Sequence, residues 1–233
     1  KRLIAGLNEA DLSLSDIDGL LITHEHMDHI SSLGVLLRAK EMPVYATEGT
    51  VRAIKAMKGL GDYNQSLFNI IRPGESFSIG DLDILPMAIS HDAYEPVCYR
   101  VSHGNKACGI VTDLGEYNDY LIENIRGCQA LMIEANHDRR MLQVGPYPYH
   151  LKTRIAGRFG HLSNEDSGRF ISELLHDGVG YIALGHISAE NNMPELARMA
   201  VEQEIDTAVC PYKGKDFNIH TASRNMTSEL YEF

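Results

Sequence analysis

A cluster of residues able to bind metal ions follows an apolar run near the start of the chain. The sequence THEHMDH places His24 and His26 two positions apart, and in an extended segment such side chains point the same way and can bind one ion together. Asp28 and His29 come next, on the turn into a predicted helix, where they can face a second ion. Imidazole and carboxylate ligands suit zinc, and also manganese or iron. The pattern therefore predicts a site for divalent metal ions.

Three apolar segments elsewhere, each a predicted strand, also stop at a residue able to bind a metal. They are 82–90 followed by His91, 107–112 followed by Asp113, and 180–185 followed by His186. A structural histidine or a turn aspartate would be the better interpretation of any one of them alone. Because a sheet brings strand ends to one edge, the three together with the first cluster favour a shared metal site.

The elements that must position these residues are strands mixed with helices. Strands are predicted at 18–23, 43–46, 82–90, 97–102, 107–112, 129–134, 180–185 and 206–210, and helices at 29–40, 48–58, 116–125, 165–176 and 194–204. Ser163 or Asn164 suits the N-cap of the fourth helix. The pattern favours sheets packed face to face with helices outside, but by itself fits a three-layer α/β sheet as well. No repeat, linker or change of composition divides residues 1–233, so we expect one domain.

Composition limits the function classes. The formal charge of −11 on 233 residues argues against a protein that coats nucleic acid with its whole surface, although it leaves room for a local basic track. No apolar run approaches the length of a membrane span, and no signal peptide opens the sequence. The four cysteines are scattered without a CxxC pair, which favours buried core residues in a reducing, cytoplasmic setting.

The combination of HxHxDH, a strand-end histidine, a strand-end aspartate and a late strand-end histidine resembles the metallo-β-lactamase superfamily. Nearly the whole chain is similar to the bacterial WalJ/YycJ-like branch, through stretches such as LITHEHMDHISSLGVL, AISHDAYEPVCYRV, LMIEANHDRRMLQVGPYP and LGHISAENNMPELA. The resemblance implies a four-layer αββα sandwich of the α+β class with two divalent metal ions at one edge, zinc first and manganese or iron as alternatives. It also implies the ligands: His24, His26 and His91 for one ion, Asp28, His29 and His186 for the other, and Asp113 as the bridge.

The chain departs from the family pattern at its start. Family members usually begin with two strands, a Gly/Ser-rich turn and an aspartate before a helix, whereas this sequence starts at KRLIAGLNEADLSLSDIDG, which resembles that helix and the segment after it. We therefore expect the natural protein to be longer and this chain to lack its N-terminal strands.

The predicted catalytic residues are Asp28, among the metal ligands, and His161. His161 opens the sequence HLSN before a helix, where phosphodiesterases of the superfamily carry a similar loop with a histidine near the scissile phosphate. The resemblance implies that His161 gives a proton to the leaving oxygen or a hydrogen bond to the transition state; the alternative is a residue that packs the loop. Glu134, at a strand end, suits a carboxylate that fixes a histidine tautomer.

Residues 137–160 form a local basic segment. It holds five basic residues, Arg139, Arg140, Lys152, Arg154 and Arg158, against the acid Asp138, an excess of four positive charges. Tyr147, Tyr149 and Phe159 are interleaved and offer stacking faces. The predicted substrate-binding residues are His137, Arg154, Arg158 and Ser163. The alternative interpretation of the segment is a solvated helix face followed by a loop. The alternative for His137 is an ordinary polar cluster at the start of a helix.

These observations predict a metal-dependent hydrolase, foremost a phosphodiesterase that acts as a DNA exonuclease. Two divalent ions lower the pKa of bound water and supply a nucleophile at neutral pH. The alternatives are a thioesterase or lactonase of the same fold and a metal-binding regulatory protein without turnover. The basic segment and HLSN favour nucleic acid as the partner, and the oligomeric state stays open.

Overall fold

The computed structural model of the protein describes residues 2–233, which divide into two compact units. Unit 1 contains the described residues up to Ala88, together with Ala93–Val97 and Asn225–Leu230, and unit 2 contains Ile89–Asp92, Cys98–Arg224 and Tyr231–Phe233. Among the described helices, none combines the length and the apolar character that crossing a bilayer requires.

Unit 1 combines short strands with four helices. Its elements are α1 (Arg2–Glu9), β1 (Leu20–Leu21), α2 (Met27–Ile30), α3 (Leu33–Ala39), β2 (Val44–Thr47), α4 (Glu48–Ala56), β3 (Phe68–Ile71), β4 (Phe77–Ile79) and β5 (Leu82–Ala88). The first three strands form a parallel sheet with β2 in the centre, in a register that pairs Val44 with both Leu20 and Phe68. β4 and β5 form an antiparallel hairpin whose turn uses Gly80 at a φ of 58°.

The core of unit 1 lies between its parallel sheet and its helices. The buried apolar side chains of this core are Ile22, Ile30, Leu33, Leu37, Met42, Val44, Ala46, Val51, Ile54 and Leu60. Gly34 lets α3 lie directly on the backbone at Leu60, since a Cβ atom at position 34 would stand 1.9 Å from the Leu60 carbonyl oxygen. This packing fixes the chain on both sides of the HxHxDH segment.

Unit 2 is built on a mixed sheet. Its elements are β6 (Val97–His103), β7 (Lys106–Val111), α5 (Asp119–Ile125), β8 (Ala130–Glu134), α6 (Arg139–Val144), α7 (Tyr149–Ile155), α8 (Asn164–Leu174), β9 (Tyr181–Gly185), α9 (Pro194–Thr207) and β10 (Ile219–Thr221). β6 and β7 are an antiparallel hairpin, and β7, β8, β9 and β10 follow as parallel neighbours. The parallel strands β8 and β9 are mostly buried, as their apolar runs predict.

Most predicted elements are present, with several differences. The predicted strand 206–210 is wrong, because α9 continues to Thr207 and residues 208–210 form a bend. The predicted helix 29–40 is two helices, α2 and α3. The short elements β3, β4, β10, α6 and α7, which are three to seven residues long, were not predicted. Helices this short depend on caps and tertiary packing rather than on hydrophobic periodicity.

Candidate metal centre and active site

The histidines of the HxHxDH segment lie close together in unit 1. The ring centroid of His24 is 4.6 Å from that of His26 and 4.2 Å from that of His29. The Thr23 hydroxyl lies 3.1 Å from Nδ1 of His24, which fixes that ring. Asp28, in the first turn of α2, has a side chain that is 66% exposed and lies 3.7 Å from Nε2 of His29. The segment therefore brings three imidazoles and one carboxylate close together.

Glu25, between the first two histidines, has a role that the sequence pattern does not reveal. Its side chain is buried, and it accepts hydrogen bonds from the Tyr94 backbone N–H at 2.8 Å and from the Thr50 hydroxyl at 3.4 Å. A buried carboxylate needs such donors. Glu25 thus ties the HxHxDH segment to α4 and to residues 93–97. In the sequence it is visible only as an acid between two predicted ligands.

The strand-end residues of unit 2 meet because β7, β8 and β9 are parallel neighbours. Val111 pairs with Ile133, and Ile133 pairs with Leu184, so Asp113, Glu134 and His186 emerge at the same edge. Asp113 and His186 both have left-handed backbones, with φ of 62° and 53°. Residues other than glycine seldom adopt this conformation, and it is concentrated at functional sites. Asp113 and His186 therefore combine a shared sheet edge with an unusual backbone conformation.

Glu134 is the central carboxylate of this edge. Its Oε1 accepts hydrogen bonds from Nδ1 of His186 at 2.6 Å and from Nδ1 of His161 at 2.8 Å, and its Oε2 accepts from the backbone N–H groups of Leu114 and Leu162. Burial opposes ionisation of Glu134, but the hydrogen bonds from the two histidines outweigh it and lower the pKa of the carboxyl. Glu134 is therefore ionised at neutral pH and fixes both rings, as its position at a strand end predicts.

The groups at this edge fit a divalent metal ion. Nδ1 of His186 donates to Glu134, so Nε2 is the nitrogen that could bind a metal ion, and this atom lies 3.3 Å from Oδ1 of Asp113. A histidine held by a carboxylate and placed beside a second carboxylate is the arrangement that zinc sites use. The donor set of imidazole and carboxylate suits zinc, manganese or iron.

His91 follows β5 and is buried within unit 2. Its Nδ1 lies 3.1 Å from the Gly160 carbonyl oxygen, so this nitrogen carries the proton and Nε2 carries the lone pair that could bind a metal ion. Burial lowers the pKa of the His91 ring, which keeps the imidazole neutral and able to coordinate. His91 therefore has the protonation state and the tautomer that metal binding requires.

His161 lies beside two of the predicted ligands. Its ring centroid is 5.1 Å from the ring of His91 and 5.1 Å from that of His186. Because its Nδ1 donates to Glu134, its Nε2 is the atom that can address a substrate. The structure thus brings His161 together with the strand-end residues of unit 2.

His137 and Ser163, two predicted substrate-binding residues, are joined by a backbone bridge. His137 is buried, burial lowers the pKa of its ring, and its Nδ1 has no hydrogen-bonding partner among the described residues. The Ser163 hydroxyl, in contrast, caps α8: it accepts from the Asp166 N–H and from Nε of Arg139, and it donates to the Asp166 carboxylate. These contacts confirm Ser163 as the N-cap and do not favour a substrate contact for it.

The two arginines predicted to bind substrate are ion-paired. Arg154 forms a two-pronged pair with Asp92 at 2.5 and 3.0 Å, and Arg158 lies 2.7 Å from Glu116. Both arginine side chains stay exposed to solvent, at 51% and 65%. The sequence could not show this pairing, because both acids lie outside the basic segment. The positive charge of the segment is therefore smaller than its composition indicates.

Comparison with known proteins identifies the family of the chain. The sequence profile of the beta-lactamase superfamily domain matches residues 5–187. The chain belongs to the beta-lactamase superfamily. Within this superfamily, the exodeoxyribonuclease YycJ of Bacillus anthracis is 37% identical over 222 residues, which cover 95% of this chain and 83% of that protein. The exodeoxyribonuclease WalJ of Streptococcus pneumoniae serotype 2 (strain D39) is 37% identical over 232 residues, which cover 100% of this chain and 86% of that protein. The predicted WalJ/YycJ-like branch is confirmed.

Solved structures of the superfamily share the fold. The metallo-β-lactamase fold protein YhfI from Bacillus subtilis is 18% identical, with a TM-score of 0.62 over 91% of this chain and 77% of that one. Zn²⁺-bound PqqB from Methylobacterium extorquens is 17% identical, with a TM-score of 0.63 over 92% of this chain and 73% of that one. The predicted α+β metallo-β-lactamase fold is confirmed. This superfamily member is a hydrolase, and membership of the family implies that it uses divalent metal ions.

Proposed function

We propose that this superfamily member is a metal-dependent phosphodiesterase that removes nucleotides from DNA. Its relatives over the full chain are named exodeoxyribonucleases. The observation that carries the proposal is the position of His161, held by the buried Glu134 and next to the rings of His91 and His186. A histidine so placed suits proton transfer at a phosphodiester.

The proposed cofactors are two divalent metal ions, with zinc first and manganese or iron as alternatives. The proposed ligand set follows the family pattern: His24, His26 and His91 for one ion, Asp28, His29 and His186 for the other, and Asp113 between them. Bound there, such ions lower the pKa of water and stabilise negative charge on the phosphate.

The proposed role of His161 is to protonate the leaving oxygen. Water supplies the oxygen that bonds to phosphorus and releases a proton to the solvent as the ester P–O bond breaks. The freed oxygen takes a proton from Nε2 of His161, which the solvent then replaces. Glu134 accepts the hydrogen bond from Nδ1 and stabilises the charged ring before transfer. Because Glu134 is buried and ionised, this stabilisation acts in a region where water screens little.

Several residues of unit 2 are proposed to contact DNA. His137 offers a buried ring nitrogen without a partner among the described residues. The side chains of Arg154 and Arg158 are exposed, and their guanidinium groups can form ion pairs with DNA phosphates in place of Asp92 and Glu116. The Ser163 hydroxyl is already engaged in capping α8, so its proposed contribution to DNA binding is the smallest of the four residues.

The proposed setting is the cytoplasm, with residues 1–233 forming one domain. All four cysteines are free, Cys98 and Cys128 are buried, and Cys108 and Cys210 are partly buried. Burial raises the pKa of the Cys128 thiol to about 11, so this cysteine stays protonated and unreactive. Free cysteines suit a reducing compartment.

Digestion of end-labelled DNA tests the proposal. Protein loaded with Zn²⁺ or with Mn²⁺ is incubated with single- and double-stranded DNA labelled at either end, and a thioester and a lactone are assayed in parallel. We expect stepwise release of labelled nucleotides that chelator treatment abolishes, and no turnover of the two esters. Hydrolysis of the thioester or lactone without digestion of DNA would replace the proposal with an ester hydrolase. A metal-loaded protein that turns over none of these substrates would favour the regulatory alternative.

A further inference from the structure

A cavity of about 560 Å³ lies in unit 2 directly beside His161, bordered by α6, α7 and the start of α8. We call it the α6–α7 pocket. His161 and His137 both line it, so the proposed proton donor and the Nδ1 of His137, which has no partner among the described residues, belong to one space. Its volume falls in the range of about 300–1,000 Å³ that pockets for small molecules occupy. The pocket is therefore suited to one small unit of a polymer rather than to a stretch of chain.

One side of the pocket is apolar and aromatic. Leu142 of α6 is buried at this side, and Tyr149 at the start of α7 is 83% exposed, so its ring is available for stacking. Stacking of a base on an aromatic ring strengthens the binding of nucleotides and tolerates any base. This side favours a planar ring system over a chain of sugar and phosphate.

Of the two basic side chains that line the pocket, one can bind a phosphate without giving up an ion pair. Arg139 lines the pocket, but its guanidinium donates to both oxygens of the Asp166 carboxylate at 2.7 and 2.8 Å. The Lys152 ammonium donates to the Gln143 carbonyl oxygen at 2.8 Å and forms no ion pair with any carboxylate in the part of the chain that the structure describes. Lys152 is thus the charge that a ligand can neutralise, and one lysine suits one phosphate.

Resting on the proposed function, we propose that the α6–α7 pocket holds the terminal nucleotide of the DNA strand. The base stacks on Tyr149 against Leu142, the phosphate of this nucleotide lies at Lys152, and His137 gives the nucleotide a polar contact. The next phosphodiester then lies at His161, so each hydrolysis releases a mononucleotide. The pocket has room for one nucleotide, so we expect mononucleotides as the product of digestion.

Binding of nucleotides without turnover tests this pocket independently of catalysis. Calorimetry measures the Kd of deoxyadenosine and of its 5′- and 3′-monophosphates for the full chain. We expect Lys152→Met to weaken the binding of the tighter monophosphate by about tenfold or more, because a charge-assisted hydrogen bond is lost. The affinity for deoxyadenosine should stay unchanged. Thr153→Trp places an indole in the pocket from an exposed position of α7. It should weaken the binding of deoxyadenosine and of the tighter monophosphate alike.

His150→Trp is the matched control, because it adds the same ring at an exposed α7 position that does not line the pocket. It should bind every ligand as the wild type does. Unchanged affinities in both Lys152→Met and Thr153→Trp, or dinucleotides as the main product of wild-type digestion, would overturn the pocket assignment. Failure of the wild type to digest any DNA would instead overturn the proposed function, while pocket-dependent binding of nucleotides would still stand.

Discussion

Oε1 of Glu134 lies 2.6 Å from Nδ1 of His186, and the carboxyl that accepts this hydrogen bond is completely buried. The contact determines which nitrogen of His186 carries the proton and leaves Nε2 beside Asp113. Partners of this kind orient metal ligands and raise their basicity. The relationship links strand order directly to metal binding, because β8 supplies Glu134 and its neighbour β9 leads directly into His186.

Replacing Glu134 with Gln should therefore weaken metal binding. We expect the affinity of the protein for Zn²⁺ to fall by about 10- to 100-fold, the usual effect of losing a carboxylate that orients a ligand. Competition with a chromophoric chelator measures this affinity. Glu123→Gln, at an exposed position of α5, is the control and should bind Zn²⁺ as the wild type does. Equal affinities for all three proteins would remove Glu134 from the metal centre.

Replacing His161 with Ala should separate catalysis from metal binding. Loss of a positioned proton donor lowers turnover by about 10²- to 10⁴-fold, and the metal content should stay that of the wild type because His161 is not in the proposed ligand set. Metal content is measured by mass spectrometry and turnover by release of labelled nucleotides. An exposed histidine of α7, His150, provides the control substitution to Ala. Loss of metal from His161→Ala would show that the residue is structural.

Much of the candidate site follows from the sequence because its residues sit at strand ends. Asp113 and His186 end two apolar strands, and parallel neighbours deliver such residues to one edge whatever the rest of the sheet does. Glu134, the last residue of β8, reaches the edge in the same way. The role of Glu25 could not be predicted like this, because its donors come from Tyr94 and Thr50, which are distant along the chain.

The basic segment shows what composition cannot reveal. Its arginines looked like free phosphate contacts, yet Arg154 pairs with Asp92, 62 residues earlier, and Arg158 pairs with Glu116, 42 residues earlier. The helices α6 and α7 were not among the predicted elements, and the alternative interpretation of the segment held one helix face and a loop. α6 begins with a cap from Asp138, and each helix is at most seven residues long. Pairing and packing across such distances are tertiary properties that spacing does not encode.

The ion pair between Arg158 and Glu116 predicts that replacing its two members changes DNA affinity in opposite directions. If DNA takes over Arg158, Arg158→Gln should weaken DNA binding and flatten the plot of log affinity against log salt by about one unit. Glu116→Gln removes the competing carboxylate, so it should strengthen binding at low salt. Fluorescence anisotropy at several salt concentrations measures both. Parallel, unshifted plots for the two variants would exclude Arg158 from the DNA-binding surface.

The Asp166 carboxylate predicts how the stability of the fold depends on pH. Burial opposes its ionisation, but hydrogen bonds from Ser163 and Arg139 outweigh burial and lower the pKa of this carboxyl. A carboxyl whose pKa is lower in the folded state stabilises the fold fully above its unfolded pKa of about 3.9, and this contribution disappears as the pH falls through the folded value. Asp166→Asn should therefore lower the free energy of unfolding at pH 7, by about 1 kcal/mol or less since the side chain is a third exposed to solvent.

Urea unfolding of the metal-free protein, followed by circular dichroism at pH 7 and at steps below pH 4, measures this difference. The gap between the wild type and Asp166→Asn should narrow as the pH falls, because protonation of Asp166 makes the two side chains alike in charge. Asp119→Asn, an exposed position in the first turn of α5, supplies the comparison for loss of a helix-end charge without this network. A gap that stays constant down to the lowest pH would mean that the ionised carboxylate does not stabilise α8, and that Ser163 caps the helix without help from Asp166 and Arg139.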